Sequence, residues 1–191
     1  MSGAFGLLRL GAAFTFSIEI SQKTRTPRQR TKSGKHLPHS NVSTFQIMTD
    51  PIEIKLLAAT DCDALLSVAD DVFDDPIDLA TAAEFLADAR HHLAVAIANG
   101  SVVGFVSAVH YVHPDKSKPE LWINEVGVAP SHQGQGLARK LMDAVLAEAR
   151  RLGCSTAWVL TNRSNTAAMR LYAGSGGVEA PEEAVMFEFK L

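Results

Sequence analysis

An α/β fold with a mixed central sheet flanked by helices is what this 191-residue chain predicts, and three observations carry the prediction. Short segments of alternating or continuous apolar residues read as strands. Longer segments with apolar residues three and four apart read as helices. The two kinds interleave in the order β-α-α-β-β-β-α-β-α-β, the pattern of one sheet packed against helices.

Each element has a local reason. Ile52-Glu53-Ile54-Lys55-Leu56 alternates and reads as a strand with one buried face. Thr60 and Asp63 have the spacing of a capping box, ahead of a helix whose apolar face is Leu65, Leu66, Ala69 and Phe73. Ala82, Ala83, Leu86 and Ala87 mark the inward side of a second helix over 79–90. Strands over 92–98 and 102–111 flank Asn99-Gly100, a pair that takes the two positive φ angles of a type I′ turn, so the two pair antiparallel. A polar loop over 113–119 leads to a strand over 120–128. Leu137, Leu141, Ala144, Val145 and Leu152 lie on one face of a long helix over 136–152, with Gly153 as its stop. A strand over 156–161, a helix over 165–173 ended by Gly174-Ser175-Gly176-Gly177, and a last strand over 184–190 complete the order.

Charge divides the chain. Residues 1–47 carry seven Lys/Arg against one acid, Glu19, and 24–35 show no apolar periodicity. They read as a disordered basic leader, or as an extension ahead of a start at Met48. Residues 48–191 read as a single domain with eleven Lys/Arg against twenty acids, a net of −9. That balance disfavours a nucleic-acid partner and suits a cationic one. No apolar run reaches the ~20 residues that cross a bilayer, so no membrane partner is expected. Cys62 and Cys154 read as free thiols of a reducing compartment, the cytoplasm. The seven histidines are scattered, and no metal site is expected.

The most informative run is Val126-Gly127-Val128-Ala129-Pro130-Ser131-His132-Gln133-Gly134-Gln135-Gly136-Leu137-Ala138-Arg139-Lys140. It reads as a strand, a tight polar turn and a glycine-opened helix. The free N–H groups of a first helical turn favour an anion, and glycines let it approach the main chain. A P-loop would need Lys-Ser or Lys-Thr after Gly136, where Leu137 and Ala138 stand; a dinucleotide loop would need Gly or Ala where Arg139 stands.

What remains resembles the acetyl-CoA signature of the GNAT acetyltransferases, Gln/Arg-x-x-Gly-x-Gly/Ala, with Gln133, Gly136 and Ala138 at its fixed positions. Asn165-Thr166-Ala167-Ala168-Met169-Arg170-Leu171-Tyr172 resembles the family's second motif, Asn-x-x-Ala-x-x-Leu-Tyr. The resemblance covers about 52–191 and implies the GNAT fold. The strands before and after the motif helix, 120–128 and 156–161, would splay, and the pantetheine arm of acetyl-CoA would lie between them. It implies coenzyme contacts from Val126, Val128, Gln133, Gly134, Gln135, Gly136, Leu137, Ala138, Arg139, Lys140 and Asn165. It also implies Tyr172 as the acid that protonates the departing thiolate, and a homodimer. By themselves, Asn165 reads equally as a helix N-cap and Tyr172 as a core aromatic.

An amine must lose a proton before it attacks a thioester, and a carboxylate can take it. Glu125 is the first candidate for that base, with Glu120, at the start of the same strand, the second. Either also reads as an ordinary solvent-facing glutamate. Asp70, Asp71, Asp74, Asp75 and Asp78 fall within nine residues; with Glu120 they could receive a substrate bearing several ammonium groups, or simply form a solvated acidic loop. Phe73-Asp74-Asp75, His110-Tyr111-Val112-His113-Pro114, the 120–128 strand and the ending around Glu182 to Phe189 resemble type I aminoglycoside 3-N-acetyltransferases. Two segments depart from that subfamily: Gln133-Gly134-Gln135 replaces a more basic run, and Gly174 to Val178 replaces a Lys-x-Gly-Phe-like turn. The expected activity is therefore acetyl transfer to an amine of a small cationic molecule, an aminoglycoside first. Another small amine, such as a polyamine, an amino-acid derivative or a protein N-terminus, is the alternative, and a non-catalytic acyl-CoA-binding domain is a third reading.

Overall fold

In a computed structural model of the chain, the described residues are 51–180, 187 and 189–191. The leader over 1–47 and most of the expected last strand over 184–190 lie outside them.

Five strands form one sheet in the order of the chain: β1 (Glu53–Leu56), β2 (His91–Ala98), β3 (Ser101–Tyr111), β4 (Glu120–Val128) and β5 (Thr156–Trp158). β1 to β4 pair antiparallel, and β4 pairs parallel with β5. Asn99 and Gly100 take φ values of 50° and 79°, the two positive angles of the expected hairpin turn between β2 and β3. A parallel pair needs a crossover, and α2 (Leu137–Arg151) supplies it. Its stripe of Leu137, Leu141, Met142, Val145 and Ala149 is buried against the sheet. α1 (Leu79–Ala87) and α3 (Thr166–Gly174) are shorter.

The two faces of the sheet are covered differently. A Cβ on Gly104 would lie 3.4 Å from Leu141 and 3.2 Å from Val128, so the Gly104 and Val128 side faces α2. On the other face, a Cβ on Gly127 would lie 2.4 Å from the Val72 carbonyl oxygen and 2.6 Å from the Phe105 ring. The 67–78 loop therefore crosses β4 directly on its main chain, at a point where only glycine fits. A single parallel bridge, Val68 to Val102, fastens that loop beyond the end of β4.

Three expectations are corrected. The first helix is a 3-10 helix over Ala59–Leu66 and the Thr60/Asp63 box does not form: Asp61 accepts from the Ala58 N–H at 2.9 Å and from Lys55 Nζ at 2.8 Å, which starts the turn earlier. Phe73 is not on that helix; it stacks on Phe105 with ring centroids 3.8 Å apart. β5 ends at Trp158 instead of residue 161, and the β4–β5 register stops at Trp122 opposite Trp158, whose rings stack at 5.3 Å. Past that stack, β4 runs on to Val128 without β5 beside it, so the sheet opens there.

Candidate active site

Glu125 stands on the open stretch of β4, paired with Ser107 of β3. Just before it the register slips: Ala108 faces Ile123, leaving Asn124 as an extra residue, a β-bulge. The pairing puts Glu125 on the face of Ser107 and Phe105, away from α2. There, all three line a cavity of about 320 Å³ with Leu65, Phe73, Pro76, Ile77, Asp78, Thr81, Ala82, Phe85 and Leu93. Burial, and then the nearby charge of Asp74, push the Glu125 carboxyl up to about 6. A carboxylate with that affinity is ionised at neutral pH yet basic enough to take a proton.

The acidic run does not gather around Glu125 as a whole. Asp71 takes a left-handed φ of 58°, which aspartate tolerates, and the chain turns there. Asp70 and Asp71 line a separate cavity of about 420 Å³ with Val68, Ala69, Pro130 and Ser131. Asp78 reaches the Glu125 cavity but also caps α1, its Oδ1 accepting from the Thr81 N–H at 2.7 Å. Asp74 acts on Glu125 through its charge, and Asp75 is exposed.

Glu120 is placed otherwise than a base would be. It is 1% exposed, at the closed end where β4 still pairs with β5. Tyr111 OH donates to its Oε2 at 3.1 Å and Lys116 Nζ to its Oε1 at 3.1 Å; Trp158 Nε1 donates to Tyr111 OH at 2.7 Å. These bonds tie the 112–119 loop and β5 to the start of β4.

The motif turn is open. Gly136 caps α2 with a φ of 75° and no side-chain cap bond, and nothing lies within 4 Å of a Cβ placed on Gly134 or Gly136. The first-turn N–H groups of α2 at Leu137 and Ala138 are thus left without a side-chain cap. Gln133 Nε2 donates to the Val128 carbonyl at 3.1 Å and holds the turn against the end of β4; Gln135 and Lys140 are exposed. Arg139 pairs with Asp143 at 3.1 Å and donates to the Gly174 carbonyl, so it joins α2 to the end of α3. Val126 and Val128 flank Gly127 on the open stretch.

Asn165 caps α3, its Oδ1 accepting from the Ala168 N–H at 3.1 Å. Tyr172 is half-buried on the same helix, and burial pushes its phenol up to about 12, so it stays protonated across the physiological range. The Oδ1 of Asn124 is buried with no hydrogen-bond partner among the described residues.

Sequence reasoning missed Ser107, Phe105 and Phe85 as neighbours of Glu125. The alternation of β3 places Phe105 and Ser107 on one face and could have found two of them. Among the described residues no cluster of His, Cys, Asp or Glu could hold a metal ion, and no helix is long and apolar enough to cross a membrane.

Comparison with known proteins adds to this geometry. A family model described as acetyltransferase (GNAT) family matches residues 60–176. N-acetyltransferase family 8 member 2 of Rattus norvegicus is 32% identical over 99 residues, covering 52% of this chain and 44% of that protein. An uncharacterized N-acetyltransferase of Mycobacterium tuberculosis is 32% identical over 94 residues, covering 49% of this chain and 57% of that protein. The match thus spans about half the length of these relatives. Among solved structures, an aminoglycoside acetyltransferase from an uncultured soil metagenomic sample superposes with a TM-score of 0.63 at 21% identity, over 73% of this chain and 96% of that one. An aminoglycoside N-acetyltransferase in complex with CoA gives 0.60 at 25% identity, over 73% and 95%.

Proposed function

Because the chain belongs to the acetyltransferase (GNAT) family, we propose that it transfers the acetyl group of acetyl-CoA to the amine of a small cationic molecule. The observation that carries the reading is Glu125, a half-buried carboxyl on the opened part of β4, at a cavity large enough for a small acceptor. The motif turn fits the coenzyme's pyrophosphate: Gly134 and Gly136 leave the main chain uncovered where α2 begins. The unpartnered Oδ1 of Asn124, where β4 loses its neighbour, suits an amide N–H of the pantetheine arm.

Acetyl-CoA supplies an activated acyl group as its thioester. In the proposed reaction Glu125 takes a proton from the acceptor ammonium, directly or through water. The amine lone pair then forms the C–N bond to the acyl carbon as the C–S bond breaks. As the C–S bond breaks, Tyr172 gives its phenolic proton to the sulfur, the phenolate takes back, directly or through water, the second proton that the new amide nitrogen loses, and Glu125 returns its own to solvent. In this reading the backbone N–H groups of Val126 and Val128, turned away from β3, would polarise the acyl oxygen. Asn165 would hold the arm through its amide NH2, since its Oδ1 caps α3. Glu120, fully paired at the closed end, serves the frame of the site.

An aminoglycoside acceptor is the second reading, and the solved structures that the fold resembles favour it. The test is thiol release from acetyl-CoA by the purified chain with gentamicin, fortimicin, spermidine and a peptide amine in parallel. Release that requires an amine and disappears in Glu125→Gln supports the reading. Coenzyme binding without release for any amine would favour a non-catalytic acyl-CoA-binding domain.

A further inference from the structure

We infer that the acceptor is a monoamine with a compact aromatic body, its ring seated among Phe73, Phe85 and Phe105 and its amine at Glu125. This deepens the proposed acetyl transfer and rests on it. The cavity beside Glu125 has apolar walls, to which Leu65, Ile77 and Leu93 also contribute. Among the described residues, Glu125 and Asp78 are the carboxylates that line it; Asp74 acts on Glu125 from outside the lining, and Asp78, at the start of α1, is held by the Thr81 N–H through its Oδ1. An ammonium group at Glu125 therefore finds its charge partner on the same sheet face as the Phe105 ring. Further ammonium groups, as in a polyamine or an aminosugar, would lose water against rings and aliphatic chains wherever they do not reach Asp78.

The rings are held in place before anything binds. Phe73 stacks on Phe105 at 3.8 Å, and Phe85 stacks on His91 at 4.5 Å with 17° between their planes. Rings fixed by their neighbours present a preformed slot, which favours a flat ligand over a flexible chain. The volume of about 320 Å³ lies at the small end of ligand cavities, roughly 300–1,000 Å³. The carboxylates that would favour a polycation, Asp70 and Asp71, line the other cavity.

The experiment compares 2-phenylethylamine, ethylamine, spermidine and gentamicin as acceptors, with calorimetric binding of each amine to the same preparation. The expected result is a kcat/KM for 2-phenylethylamine at least tenfold above the other three, carried by KM. Ala82→Phe, which fills the cavity, should bring that preference over ethylamine close to one; Phe85→Ala, a change in the opposite sense, should also reduce it if the first variant folds poorly. Equal or better turnover with spermidine or gentamicin overturns the inference and leaves acetyl transfer standing. Binding of 2-phenylethylamine but not spermidine, without turnover of any amine, upholds the aromatic slot and overturns acetyl transfer. Neither binding nor turnover overturns both.

Discussion

Ser107 of β3 faces Glu125 of β4, while its neighbour Ala108 faces Ile123, so one extra residue, Asn124, lies between the two pairs. Were the register regular beyond Ile123, Asn124 would face Ser107 and Glu125 would face Val106, on the side of α2. A single bulge in the strand thus sets which side of the sheet carries Glu125.

Replacing Glu125 with Gln should abolish most activity and yet stabilise the fold at neutral pH. A carboxyl raised from 4.5 to about 6 in the folded protein contributes stability below 4.5 that is lost as pH rises through about 6. Glutamine has no such loss. The variant should therefore gain about 1–2 kcal/mol on wild type between pH 4.5 and 7.5, read from urea unfolding at both values. Its kcat should fall about 10²–10⁴-fold.

The acid limb of kcat/KM should follow the same group. With the base titrating at about 6, activity at pH 5 should be about tenfold below its plateau. A pH–rate profile whose limb lies near 4 would mean that an ordinary, solvated carboxylate acts instead.

Glu120→Gln should behave in the opposite way to Glu125→Gln. Its carboxylate is buried and bonded to Tyr111 and Lys116, and removing one partner of such a set costs about 3 kcal/mol. Thermal unfolding of the two variants side by side separates the glutamate that holds the fold from the one proposed as base.

Gly127→Ala should destabilise by about 1–3 kcal/mol, because its methyl would meet the Val72 carbonyl at 2.4 Å and the Phe105 ring at 2.6 Å. The loop that must move carries Phe73 and Asp74, so the KM for the amine should rise as well. A variant as stable and active as wild type would show that the loop does not rest on β4.

Asn165→Ala removes the cap of α3 and should cost about 1 kcal/mol. If the residue also holds the coenzyme, the KM for acetyl-CoA rises in that variant; Asn165→Asp keeps the capping oxygen but not the amide NH2, so it should restore stability and not the KM.

Much of this was legible in the sequence. The Asn99-Gly100 hairpin, β4 and α2 follow from alternation, turn chemistry and helical spacing, and they lie within a residue or two of expectation. Local patterns could not show the rest. A bulge at Asn124 leaves no mark in residue type. Asp61, bonding Ala58 and Lys55, overrode the box read at Thr60. The aspartates look like one patch because they are close in sequence, but with the turn at Asp71 two line one cavity, Asp78 lines another, and Asp74 and Asp75 line neither. The sequence ranks Glu125 ahead of Glu120 as base, but only tertiary pairing shows that Glu120 is surrounded by donors and Glu125 lies beside rings.

Where β4 leaves β5 behind, no other strand among the described residues takes up the main-chain donors and acceptors of that edge, which another extended chain could claim. The opening that would admit an acyl donor is therefore also a place where two molecules could zip together. The same stretch carries its own protection, since an irregular step at Asn124 and a residue without a side chain at Gly127 deny an intruding strand a regular ladder. Selection for binding and selection against self-association would thus act on the same few positions of β4.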